Sequence, residues 1–143
     1  MAVLTVIVTL LIVSCASAGG GGSDPEAVDW AGFTERGGLT IASAEQVGRL
    51  DAAVVFTLEG SSSDVDAAIE AAGFETTFSP GTDAVQAGLF KEDYDGLIDI
   101  ESAVDTWKAP VDDLHPKQQT IHRHLVKGRR GGDVVLYASA FTT

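Results

Sequence analysis

The sequence predicts an α+β fold: a small antiparallel sheet of three to four strands, one main helix packed on a face, and a C-terminal β-hairpin. Three observations carry that expectation. Residues 53–59, Ala-Val-Val-Phe-Thr-Leu-Glu, are rich in β-branched and aromatic types that fit a pleated surface. Val65, Ala68, Ile69 and Ala72 repeat at i, i+3, i+4 and i+7, the spacing of one buried helical stripe. Residues 119–127 and 133–142 are strand-like runs parted by the turn composition Gly128-Arg129-Arg130-Gly131-Gly132. The chain has 143 residues, 45% of them hydrophobic, enough for one domain behind an N-terminal extension. That apolar content excludes disorder throughout.

Asp24-Pro25-Glu26 ends a Gly-rich stretch, and folded structure is expected from about Val28-Asp29-Trp30. Residues 39–43 read as a short strand, and within 53–59 Val54, Phe56 and Leu58 share one face. The helix is expected over 63–72, with Ser63 and Asp66 as a variant capping box. Gly73 is its natural C′ residue, and Phe74 supplies the accompanying apolar contact. Ser79-Pro80-Gly81 is a turn, and residues 83–90 are read as one or two helical turns. Ile100, Ala103, Val104 and Trp107 repeat the helical spacing ahead of Pro110, which predicts a second short helix over 99–107 capped by Asp99. A loop pinned by Trp107 is the alternative there. The run 133–142 is apolar on both faces, as a central strand is. Along 119–127, Ile121 and Leu125 flank Arg123 on one face, while His122, His124 and Val126 take the other. An inward-leaning charge is an edge-strand device, so this arm is expected at an edge.

The first 23 residues carry no charged side chain, and residues 2–13 are almost wholly apolar. Twelve residues make about 18 Å of helix, short of a hydrocarbon core of about 30 Å. The length suits the apolar region of an export signal. Ile12-Val13-Ser14-Cys15 follows it, with the only Cys in the chain, and then Gly19-Gly20-Gly21-Gly22-Ser23. This segment resembles the lipobox of bacterial lipoproteins, and the whole arrangement resembles small lipoproteins of high-GC Gram-positive bacteria. The resemblance implies cleavage between Ser14 and Cys15 and a diacylglyceryl group on the Cys15 thiol. It covers the first fifteen or so residues and implies an address, not an activity. On that reading residues 1–14 are signal, 15–27 are the lipid-bearing Cys and a flexible tether, and 28–143 are a single α+β domain. The destination is then the outer face of the cell membrane, held by lipid on Cys15. Ala16-Ser17-Ala18 also fits an ordinary signal peptidase site, which would release a soluble secreted protein. An uncleaved short anchor is the third possibility.

Chemistry in the domain is sparsely marked. His122 and His124 point the same way on a strand, and His115, Asp112 and Asp113 lie close enough in sequence to complete a metal site. Two imidazoles specify little, so a solvated strand face is the bland alternative. The acidic run from Glu92 to Glu101 departs from EF-hand spacing: counted from Asp93, Leu97 fills a ligand position and Gly96 comes two residues early. There is no G-x-S-x-G, phosphate loop or dinucleotide fingerprint, and Gly60-Ser61-Ser62-Ser63 reads as a strand-to-helix turn. No catalytic residue and no cofactor is therefore expected. Charge is segregated along the chain. Residues 24–113 hold 20 acidic and 4 basic side chains, net −16, and residues 114–143 hold 1 acidic and 5 basic, net +4, which together give the −12 of the whole chain. The basic set is Lys117, Arg123, Lys127, Arg129 and Arg130, the last three crowding the hairpin tip. They are read either as a contact for anionic lipid or envelope polymer, or as a solvated offset to the acidic remainder. The overall acidity excludes a general nucleic-acid binder.

Three functions follow as expectations. The first is a tethered, non-enzymatic binding module at the cell surface, with an envelope protein or polymer as partner. The second is a surface protein that binds a small molecule or a metal. The third is a hydrolase whose site has no recognisable spacing.

Overall fold

The computed structural model describes residues 24–47, 53–82, 94, 96–108 and 120–143. The N-terminal signal, Ser14 and Cys15, the tether to Ser23, and the helical turns expected at 83–90 lie outside them. So do Glu92, Asp93, Asp95, Asp112, Asp113, His115 and Lys117.

The described residues build one sheet of six antiparallel strands in the order β1-β2-β6-β5-β4-β3. The strands are β1 (Thr40–Val47), β2 (Ala53–Gly60), β3 (Ser79–Pro80), β4 (Ile98–Lys108), β5 (Thr120–Arg130) and β6 (Asp133–Thr142). Among the described residues there are two short helices, α1 (Pro25–Trp30) and α2 (Ser62–Ala71). This corrects the expected α+β fold of three to four strands with one main helix: the domain is mostly β.

Local chemistry explains each helix. Asp24 caps α1, accepting from the backbone N–H of Glu26 at 3.0 Å and of Ala27 at 3.4 Å, with Pro25 in the first turn. The folded part thus begins within the segment read as tether. α2 opens one residue earlier than expected, because the capping serine is Ser61 and not Ser63. Its Oγ accepts from the Asp64 N–H at 3.2 Å and donates to the Asp64 carboxylate at 2.6 Å. The end of α2 is as the sequence implied: Gly73 N–H bonds the Glu70 carbonyl and Phe74 N–H bonds that of Ile69.

The expected helix at 99–107 is instead the long strand β4. A register shift between Ile98 and Glu101, with Asp99 at a φ of 51°, breaks the alternation that would have announced it. Ile98 faces Arg129 across the sheet, whereas Ile100 packs on the opposite side with Val126 and Tyr137. β5 is a second correction: it runs between β6 and β4, not at an edge. β6 is central as expected, paired to β2 on one side and β5 on the other. The β5–β6 turn narrows to Gly131-Gly132, where the Arg130–Asp133 pair closes the ladder. Gly131 has a φ of 64°, the positive value a two-residue hairpin turn demands and glycine adopts without strain.

One face of the sheet carries both helices. Val54, Phe56 and Leu58 of β2, Leu136 and Ala138 of β6, and Ile121 and Leu125 of β5 pack there against Val28, Phe33, Val65 and Ala68. Phe33 meets Phe56 edge to face, with ring centroids 5.4 Å apart. The second face has a smaller apolar cluster, in which Tyr94 and Leu97 lie over Val126, Val135 and Tyr137.

Candidate functional site

The second face owes its character to strand register. Ser43 pairs with Thr57, which pairs with Tyr137, so a hydroxyl-bearing row crosses three strands. Glu45 stands opposite Val55 in the next row, and Val135 lies beyond Tyr137 on β6. These side chains, with Leu97 and Arg130, line a groove of about 290 Å³. The Ser43 hydroxyl donates to Thr57 Oγ1 at 3.1 Å. Arg130 is half exposed, 3.5 Å from Glu59. The floor is apolar, from Val55 and Val135, and the walls offer hydroxyls, one carboxylate and one guanidinium. A concave apolar floor with a few placed polar groups is the usual form of a ligand site.

His122 and His124 occupy the same face of β5, as the alternation required. Both bear on Phe141, His122 stacked at 5.1 Å and His124 edge-on at 5.6 Å between ring centroids. His122 Nε2 is 3.2 Å from Thr143 Oγ1. His124 is buried, and its Nδ1 has no hydrogen-bond partner among the described residues. Burial and then the neighbouring His122 lower its pKa below the ordinary 6.5. Among the described residues no group of three His, Cys, Asp or Glu stands together as metal ligands. Of the acidic run, Leu97 is buried in the apolar cluster of the second face, and Asp99 and Glu101 border a hollow with Lys127 and Arg129.

The basic tip does not form one patch. Lys127 lies 3.2 Å from Glu101 and 3.5 Å from Asp66, with its ammonium 4.8 Å from the Phe78 ring centre. Arg130 leans towards Glu59 on the other face, and Arg129 pairs across the sheet with Ile98. Among the described residues, carboxylates thus pair with Lys127 and Arg130.

Arg123 points inward with Ile121 and Leu125, in the interior of the sheet. It is 1% exposed, bonded through Nη2 to Asp105 at 2.5 Å and through Nη1 to the Ala72 carbonyl at 2.7 Å. The rings of Phe74 and Trp107 lie 4.6 and 5.0 Å from its guanidinium carbon. It is a structural cation that ties β5 and β4 to the end of α2.

No protein-family model, curated protein or solved structure matches the chain. Sequence reasoning missed the groove altogether. Its signal was the two-residue period of Ser43 and Glu45, of Val55 and Thr57, and of Val135 and Tyr137. That signal becomes legible only once the pairing of β1, β2 and β6 is known.

Proposed function

We propose that the chain is a lipid-anchored cell-surface protein whose domain binds rather than catalyses, taking its partner on the β1 side of the second face. The observation that carries the binding half is the groove lined by Ser43, Glu45, Val55, Thr57 and Tyr137. Its described lining combines an apolar floor with polar groups and holds no imidazole to activate a hydroxyl. The anchoring half rests on the apolar leader, the Ile12-Val13-Ser14-Cys15 box and the glycine tether. Among the described residues no helix is long and apolar enough to cross a membrane.

Two measurements test the reading in a bacterial host that processes lipoproteins. Intact mass of the mature N-terminus should show diacylglyceryl-Cys15, and Cys15→Ser should retain the leader and lose the lipid. A chain starting at Gly19 would refute the anchor. A photo-cross-linker in place of Ser43 should give a defined adduct on intact cells, and the same group in place of Glu70, exposed on α2, should not. Equal labelling from both positions would refute a binding groove.

A further inference from the structure

β1 is the terminal strand of the sheet, and among the described residues no strand pairs with its outer side. Such an edge presents a row of unpaired backbone N–H and C=O groups. The register shift between Ile41 and Ser43 leaves residues 43–47 regular, matched one to one with β2, a stretch of ordinary strand length.

Grooves flank this edge on both faces. On the second face Ser43 and Glu45 open onto the 290 Å³ groove. On the helix face Gln46 and Val54 border another of about 200 Å³, lined also by Asp24, Glu26, Ala27 and Trp30. Successive side chains of a strand point to opposite faces. A segment laid along β1 therefore sets alternate side chains beside Gln46 on the helix face and beside Ser43 and Glu45, at the rim of the second-face groove. The helix-face groove offers two carboxylates and an indole, a setting that favours a cation. On the second face the nearest neighbours of the added strand are Ser43 and Glu45.

We propose that β1 takes up an extended segment of a partner polypeptide as a seventh strand. Lys or Arg side chains enter the groove of Asp24, Glu26 and Trp30, and the alternate side chains lie beside Ser43 and Glu45. This inference rests on the reading that the domain binds. A second copy of the chain is the less favoured occupant, because each copy carries a net charge of −12 and would bring its own Glu45 to the shared edge. In strand addition the main-chain bonds hold the segment and the alternate pockets select it.

The test uses the full chain in non-ionic detergent and fluorescein-labelled synthetic heptapeptides. One alternates Lys and Val, and a second alternates Glu and Val. Two more are the Lys–Val peptide N-methylated on its Lys residues or on its Val residues. The Lys–Val peptide should bind at least about tenfold more tightly than the Glu–Val peptide. Methylation of one set should weaken binding by about tenfold and of the other set by less than about twofold, since a single edge of the added strand is used. Glu26→Lys should weaken the Lys–Val peptide, and hydrogen exchange of β1 amides should slow when it binds. Equal binding of both methylated forms would overturn strand addition and show simple electrostatic adhesion. Equal binding of the Lys–Val and Glu–Val peptides would overturn the assigned charge preference. A concentration-dependent dimer with β1 amides already protected would give the edge to a second copy. Failure of every peptide would overturn the inference, while the Ser43 cross-link still decides whether the domain binds at all.

Discussion

Arg123 is a charge in the core, and its neighbours explain how it is tolerated. Desolvation pulls its pKa down, while the hydrogen bond and charge of Asp105 act in the opposite sense. Removing one member of a buried pair leaves the other uncompensated, which costs about 3–5 kcal/mol. Arg123→Met is therefore expected to lower the urea midpoint sharply, and the double variant Arg123→Met/Asp105→Leu to recover much of the loss. Equal loss in single and double variants would show that the pairing is not the cause. Gly32 belongs to the same site: it sits at a φ of 93°, and a Cβ there would stand 2.8 Å from Arg123 Nη1. Gly32→Ala should destabilise through both effects. His124 supplies a pH dependence. Its folded pKa is lowered, so the unfolded chain binds the proton more readily. Its contribution is complete above the unfolded value of about 6.5 and is lost as pH falls below it. Urea midpoints should fall between pH 7 and pH 5 in wild type and flatten in His124→Gln; parallel curves would exclude His124 as the origin.

At the scale of elements, α2 hangs on its first turn. Ser61 satisfies the Asp64 N–H, and its loss should cost about 1 kcal/mol, a fall of a few degrees in Tm for Ser61→Ala. Ser63→Ala should leave Tm nearly unchanged, which separates the observed cap from the one the sequence pattern favoured. The two serines stand in the same kind of box, each three residues before an aspartate, so pattern alone did not choose between them. β2 and α2 were legible because their periods are uninterrupted. β4 was not, because eight residues with Ile100, Ala103, Val104 and Trp107 satisfy a helical stripe by chance, while the irregularity at Asp99 hides the strand alternation. β5 was misplaced for another reason. The alternation sets Arg123 on the face of Ile121 and Leu125, but its partners, Asp105 and the Ala72 carbonyl, come from distant parts of the chain. An edge was inferred where the fold supplies compensation instead.

At the scale of the molecule, the number of strands and their order were out of reach of a local reading. The order is decided by contacts between β2 and β6, in which Ala53 meets Phe141 and Gly60 meets Val134. The candidate groove inherits that limit, since its floor joins β1 and β2 to β6, and the two histidines were legible only as neighbours on one strand. The same topology has a temporal side. β2 is emitted early and β6 late in vectorial synthesis, so the inner edge of β2 waits, open, for most of the chain to follow. The sheet cannot close by growing outwards from its first hairpin alone: β6 must pair with both β2 and β5. Non-local closure of this kind slows folding relative to a domain of local contacts. Until residues 133–142 are present, the inner edge of β2 therefore has no native partner.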